Sequence, residues 1–254
     1  MKKIFKMILI GIESILLFIV VGALTTAITQ NIYANILIEQ FKGSAQFEER
    51  RSTPTKKFYR VPAEEGEPET FQEANDIVWP GNTGDILISL RSEITIPFVG
   101  DFVSFFAGGH AAFVLGNYRD KECNLSEYRT LESSGLTENN NQANIYDKKY
   151  WTTDSPYKSC IGVRVKLTEA ERRIVLAEAM GLWKDPYNYS FLFNSKNTSY
   201  CSDLINKAYN KIGVNLNKDG FVTSIYDIVV SGDTYISYYH YFDNTGVQHI
   251  YYLG

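Results

Sequence analysis

The sequence predicts an α+β fold, strands first and helices later, behind one apolar N-terminal helix. Three observations lead there. Apolar runs of strand length, bounded by glycines, recur between Gly84 and Leu167. Two segments with helix-start signals follow, from Thr168 to about Trp183 and from Tyr200 to Ile212. A tyrosine-rich tail with a turn at Asp243-Asn244-Thr245-Gly246 ends the chain. The 254 residues are 44% hydrophobic and 14% aromatic, enough for a core and too apolar for disorder.

A basic cluster, Lys2, Lys3 and Lys6, precedes Met7–Thr29, in which Glu13 is the one charge. At about 1.5 Å per residue that run covers the roughly 30 Å hydrocarbon core of a bilayer. The basic start favours an inside N-terminus and a body outside the cytoplasm. The run is longer than an ordinary signal-peptide core, which favours an uncleaved single-pass anchor; cleavage after the small residues Thr25-Thr26-Ala27 would give a secreted protein instead. Residues 1–30 are therefore expected to form the membrane helix and 31–76 a stalk or linker, because charges of both signs mix there with Pro54, Pro62 and Pro68. A short continuation of the helix over Asn31–Phe41 fits the same stretch. Residues 77–254 form the globular domain. Its strands are expected at Ile86–Leu90, Ala111–Leu115, Arg129–Ser134 and Cys160–Leu167, with a polar loop at 137–158. Thr168 and Glu171 have capping-box spacing for the first helix, and Gly213 stops the second. The tail, Thr234–Leu253, reads as a hairpin; its tyrosines suit strand packing, with a sugar-stacking face as the alternative.

Net charge of −4 argues against nucleic acid as the partner. Three histidines and three cysteines, without a His-x-x-x-His or Cys-x-x-Cys pair, make a structural metal site unexpected, and no cofactor is implied. Cys123 and Cys160 either pair as a disulfide or stay as separate thiols; spacing does not decide.

Cys201 is the most informative residue. It opens the second helix, where free backbone N–H groups and the positive end of the helix dipole favour thiolate, the nucleophilic form. A cysteine there also serves simply as a small buried hydrophobe. His110 follows Gly108-Gly109 at the start of a strand, and Glu132 lies one strand later. On adjacent strands a carboxylate orients an imidazole, and the imidazole serves a thiol as its base. His240 and His249 sit in the aromatic tail, where packing is the ordinary role.

These residues carry a resemblance. Gly84-Asp85-Ile86, Gly109-His110, Leu131-Glu132-Ser133, Pro186-Tyr187 and Tyr200-Cys201-Ser202-Asp203-Leu204, in that order, are similar to the motifs of the YiiX/YebB-like cysteine hydrolases, the circularly permuted papain-like branch of the NlpC-type cell-wall peptidases. The resemblance covers roughly residues 80–230. It implies an antiparallel sheet or partial barrel packed against helices, with Cys201 as nucleophile, His110 as general base and Glu132 as the orienting third member. It also places Tyr187 and Tyr200 beside the thiol as substrate-binding residues. Tyr189-Ser190 replaces the glycine pair usual after Pro-Tyr, which separates this chain from ordinary members. The function implied is an extracytoplasmic cysteine amidase or peptidase acting on cell-envelope peptide amides. A lipid ester or acyl hydrolase or acyltransferase, and a membrane-anchored binding or scaffold module that keeps the shell without turnover, are the alternatives. Oligomeric state has no signal.

Overall fold

The computed structural model describes residues 2–64, 70, 72–73, 77–90, 108–116, 129–135, 141–147, 151, 157–191, 196–217, 220 and 222–254. Helix α1 (Lys2–Gly43) runs unbroken through the apolar run and beyond it. One stretch of it is apolar and long enough to cross a membrane, with a mean hydropathy of 2.2. Strands β1 (Gln46–Phe47), β2 (Lys56–Val61), β3 (Gln72–Glu73), β4 (Ile77–Val78), β5 (Ile86–Ser89), β6 (His110–Val114), β7 (Arg129–Ser134), β8 (Gln142–Asp147) and β9 (Ser159–Val165) follow. Then come helices α2 (Glu169–Gly181), α3 (Cys201–Asn210) and α4 (Ile225–Val230), and the hairpin β10 (Thr234–Phe242) and β11 (Gln248–Leu253).

Among the described residues one sheet of nine strands has the order β1-β2-β11-β10-β9-β5-β6-β7-β8, and β3 and β4 form a separate pair. The sheet is mixed and open rather than a purely antiparallel partial barrel. β2 and β11 run parallel, with Phe58 opposite Ile250 and Val61 opposite Leu253, while the other neighbours are antiparallel. A parallel pair needs a long crossover, and here nearly the whole domain lies between its two strands.

Within the expected stalk at 31–76, described residues pack on the globular part. α1 runs on to Gly43, burying Ala34, Ile38 and Phe41, and β2 adds Phe58 to a cluster with Val78, Tyr238, Ile250 and Tyr252. Charges and prolines around the strand hid those apolar residues from a reading of composition. The expected polar loop at 137–158 contains β8, in register with β7 so that Asn144 faces Glu132. Its apolar positions, Ala143 and Ile145, alternate with polar ones and so keep the period of a strand among asparagines. Strands β5, β6, β7 and β9 and the hairpin lie where they were expected, within a residue or two, whereas β1, β3 and β4 were not expected.

The helices assemble on the sheet through satisfied caps and buried ties. α2 has the capping box: Thr168 Oγ1 accepts the Glu171 N–H, and Glu171 returns to the Thr168 N–H at 2.8 Å. α3 is amphipathic, buries Leu204, Ile205, Ala208 and Tyr209, and packs on β6 and β7. The Tyr209 hydroxyl donates to the Gly84 carbonyl. Beside it Asp85 receives Arg164 in a fully buried pair, Nε at 2.9 Å and Nη2 at 2.7 Å, so Gly84-Asp85 fastens β5 to both β9 and α3. Burial opposes the Arg164 charge, and the Asp85 carboxylate outweighs it, raising the guanidinium pKa further. Cys160 is a buried free thiol rather than half of a disulfide; Cys123 lies outside the described residues.

Candidate functional site: a thiol, an imidazole and a clamped carboxylate

Packing α3 on β6 and β7 sets its first turn over the start of β6. Cys201 is the first residue of α3 and His110 the first of β6. Glu132 lies on β7, with a side chain 1% exposed. His110 Nε2 is 2.8 Å from Glu132 Oε2. With Nε2 occupied, Nδ1 is the nitrogen left to face the thiol, and the imidazole is hydrogen-bonded to Cys201. The three residues expected to act together are therefore in series.

The electrostatics follow from that series. Burial opposes charge on the imidazole, but the hydrogen bonds to Cys201 and Glu132 and their negative charges outweigh it, so the His110 pKa stands well above its ordinary value. For Cys201, burial pushes the thiol up. The hydrogen bond and charge of His110, with the N–H groups of Ala111 and Ser202, push harder the other way, so its pKa is lowered. Both shifts favour the thiolate and imidazolium forms of the pair.

Glu132 is held by more than His110. Thr130 Oγ1 donates to its Oε1 at 2.6 Å and Trp151 Nε1 to the same atom at 2.7 Å. Thr130 is two residues away on the same strand face, which is the spacing that makes such a contact possible. The Trp151 ring stacks on His110 with centroids 6.0 Å apart and packs against Tyr157 at 4.8 Å. Neither Thr130 nor Trp151 was expected at the site. Trp151 sits in a stretch whose composition reads as polar loop, and its one available signal was an aromatic pair, Tyr150-Trp151, among hydrophilic residues.

The approach to α3 is fixed on both sides. Ser199 pairs with Pro186 and Asn188, its N–H on the Pro186 carbonyl at 3.1 Å and its carbonyl on the Asn188 N–H at 3.1 Å. Ser133 Oγ of β7 donates to that same Ser199 carbonyl. Lys207 Nζ reaches the Thr198 carbonyl at 2.6 Å and Asp203 at 2.7 Å, one turn behind the thiol. This pairing brings Tyr187 beside Cys201, and burial together with the thiolate's charge raises the Tyr187 pKa. Tyr200, expected to bind substrate, is buried instead; its hydroxyl accepts the Thr223 N–H at 2.8 Å and holds the helix entry. Tyr200 makes no side-chain cap, and the N–H groups of the first turn have no acceptor within the helix.

The other histidines have structural settings. His240 is fully buried beside the Tyr238 hydroxyl, and burial lowers its pKa to about 4, so it is neutral. His249 stacks on Tyr241 and pairs with Asp243 at 3.1 Å. Among the described residues no group of three or more His, Cys, Asp and Glu side chains is arranged to hold a metal ion.

No family model matches the sequence, and no curated protein matches it. The structure is similar to the crystal structure of the metalloprotein YiiX (DUF1105) from Escherichia coli O157:H7, with a TM-score of 0.48 and 16% identity over 62% of this chain and 97% of that one. Nothing about this chain's chemistry follows from a likeness of that degree.

Proposed function

We propose that the protein is a cysteine hydrolase of permuted papain-like fold, anchored by α1, with Cys201, His110 and Glu132 as its triad. The observation that supports this reading most is the series itself: a thiol at a helix start, an imidazole bonded to it, and a buried carboxylate 2.8 Å from the far imidazole nitrogen. The Cys201 thiolate attacks an amide or ester carbonyl. First-turn N–H groups of α3 face the developing oxyanion, the role that preorganised backbone donors fill in acyl transfer. The His110 imidazolium gives its proton to the leaving group, then takes one from the water that hydrolyses the acyl-enzyme. Glu132, clamped by Thr130 and Trp151, fixes the tautomer and stabilises the imidazolium in both steps. Peptide amides of the cell envelope are the substrate class that the sequence motifs favour.

The test is alkylation by iodoacetamide at pH 6.5 with the modified sites mapped by mass spectrometry. An activated Cys201 is modified while Cys160, buried and pushed up by that burial, is spared. Equal modification of both thiols, or none at Cys201, would leave a binding module and no hydrolase.

A further inference from the structure

The position of the thiol relative to α1 bears on where its substrate resides. Toward its N-terminus α1 leaves the domain near Ala27, and the residues before that exit are uncovered, Phe18 at 80% exposure among them. Just inside the exit, Gln30 Nε2 donates to Asp227 Oδ1 at 2.6 Å and Asn31 Nδ2 to the Tyr226 hydroxyl at 2.9 Å. Asp227 in turn closes the capping box of α4, accepting the Ser224 N–H at 2.7 Å. The residue before that cap, Thr223, gives its N–H to the Tyr200 hydroxyl, and its carbonyl accepts from Ser202 Oγ at 2.6 Å. Tyr200 and Ser202 flank Cys201. His110 is tied to the same corner, because a Cβ at Gly108 would lie 2.0 Å from Ile225 Cδ1, the first residue of α4. The nucleophile and its base thus stand at the end of the domain from which α1 departs.

An aromatic rim lies at that same corner. Phe191 packs on Tyr200 with centroids 5.2 Å apart and meets Tyr187 edge-on at 6.0 Å; Tyr189 meets Tyr187 at 4.9 Å. Yet Tyr189 is 51% exposed and Phe191 38%. Phe191 has φ +53, a backbone region that non-glycine residues seldom adopt. Where membrane spans meet water, exposed aromatic rings form a belt at headgroup level.

We propose that this is a membrane-surface site, in which Cys201 attacks the carbonyl of a substrate whose acyl chain remains in the bilayer and Tyr189 and Phe191 lie along that chain. The inference rests on the hydrolase reading and on α1 crossing the membrane. A phospholipid ester and an N-acylated peptide share the required chemistry. In either case a thioester forms between Cys201 and the acyl group, the alcohol or amine departs with the proton of His110, and water releases the fatty acid and restores the thiolate.

The full-length chain in vesicles of phosphatidylethanolamine and phosphatidylglycerol provides the test. Cys201 is alkylated with iodoacetamide and, separately, with N-hexadecyl iodoacetamide. The hexadecyl reagent is expected to react about tenfold faster or more, because a bilayer-held chain raises its effective concentration at the thiol. The double substitution Tyr189→Ser with Phe191→Ser is expected to lower that ratio about threefold or more. A ratio near one, or a ratio that the double variant leaves unchanged, overturns the membrane-surface site even where iodoacetamide still selects Cys201. Failure of both reagents to select Cys201 overturns the hydrolase reading itself. Fatty acid released from the vesicle phosphatidylglycerol or from added N-palmitoyl dipeptide, and lost in Cys201→Ala, supports the proposal and identifies which source is used; release from neither counts against it.

Discussion

Replacing Cys201 by Ala is expected to lower hydrolytic turnover by about 10⁵–10⁶-fold, the cost of removing the attacking atom from a nucleophilic triad. The side chain is small and only partly buried, so the fold should hold and the thermal midpoint in detergent should move by little. Product release by wild type and variant, followed by mass spectrometry under the same conditions, separates the loss of chemistry from a loss of structure. A Cys201→Ala chain that turned over a true substrate at the wild-type rate would remove the thiol from the mechanism. In the proposed mechanism Glu132 acts through His110, whose Nε2 it meets at 2.8 Å, and Thr130 and Trp151 are two further donors that hold its carboxylate.

The second large effect is on stability. Asp85→Ala leaves the Arg164 guanidinium buried without its carboxylate, and breaking such a pair costs about 3–5 kcal/mol. The loss should appear as a fall of several degrees or more in thermal midpoint, or as failure to accumulate folded protein. Replacing both residues by apolar ones of similar volume is expected to recover much of it, because the penalty lies in the orphaned charge and not in the absence of the pair. An Asp85→Ala midpoint within one degree of wild type would contradict the role assigned to Gly84-Asp85. The motif belongs to the scaffold: it ties β5 to β9 and, through Tyr209 on Gly84, anchors the helix that carries Cys201.

The parts of the molecule legible in the sequence share one property: their signals are local. The Thr168–Glu171 capping box, the apolar runs of β5, β6 and β9 and the turn at Asp243–Gly246 each need only neighbouring residues to be recognised. The proximity of Cys201, His110 and Glu132 was legible for a different reason. Each member stands at a position that constrains it, at a helix start, at a strand start after two glycines, or on the neighbouring strand. The parts that were not legible depend on distant partners. β2 belongs to the sheet only because β11, nearly the whole domain later, offers a parallel edge. Trp151 joins the site only because its indole reaches a carboxylate on β7, which no local pattern marks. Tyr200 shows the converse. Its neighbour in sequence is Cys201, and its hydroxyl turns to Thr223 and supports the helix entry.

In the proposed mechanism Cys201 rests as a thiolate because His110 and Glu132 stabilise that form. The direct measurement is the rate of Cys201 alkylation by iodoacetamide as a function of pH, in wild type and in Glu132→Gln. The Cys201 pKa is lowered and the His110 pKa raised, so the thiolate persists as pH falls until the depressed thiol pKa is crossed. The wild-type rate should therefore inflect well below the free-thiol value of about 8.5. Removing the Glu132 charge weakens the imidazolium and should move that inflection upward, toward the ordinary thiol. A wild-type inflection at the free-thiol value, or one that Glu132→Gln leaves in place, would contradict the account.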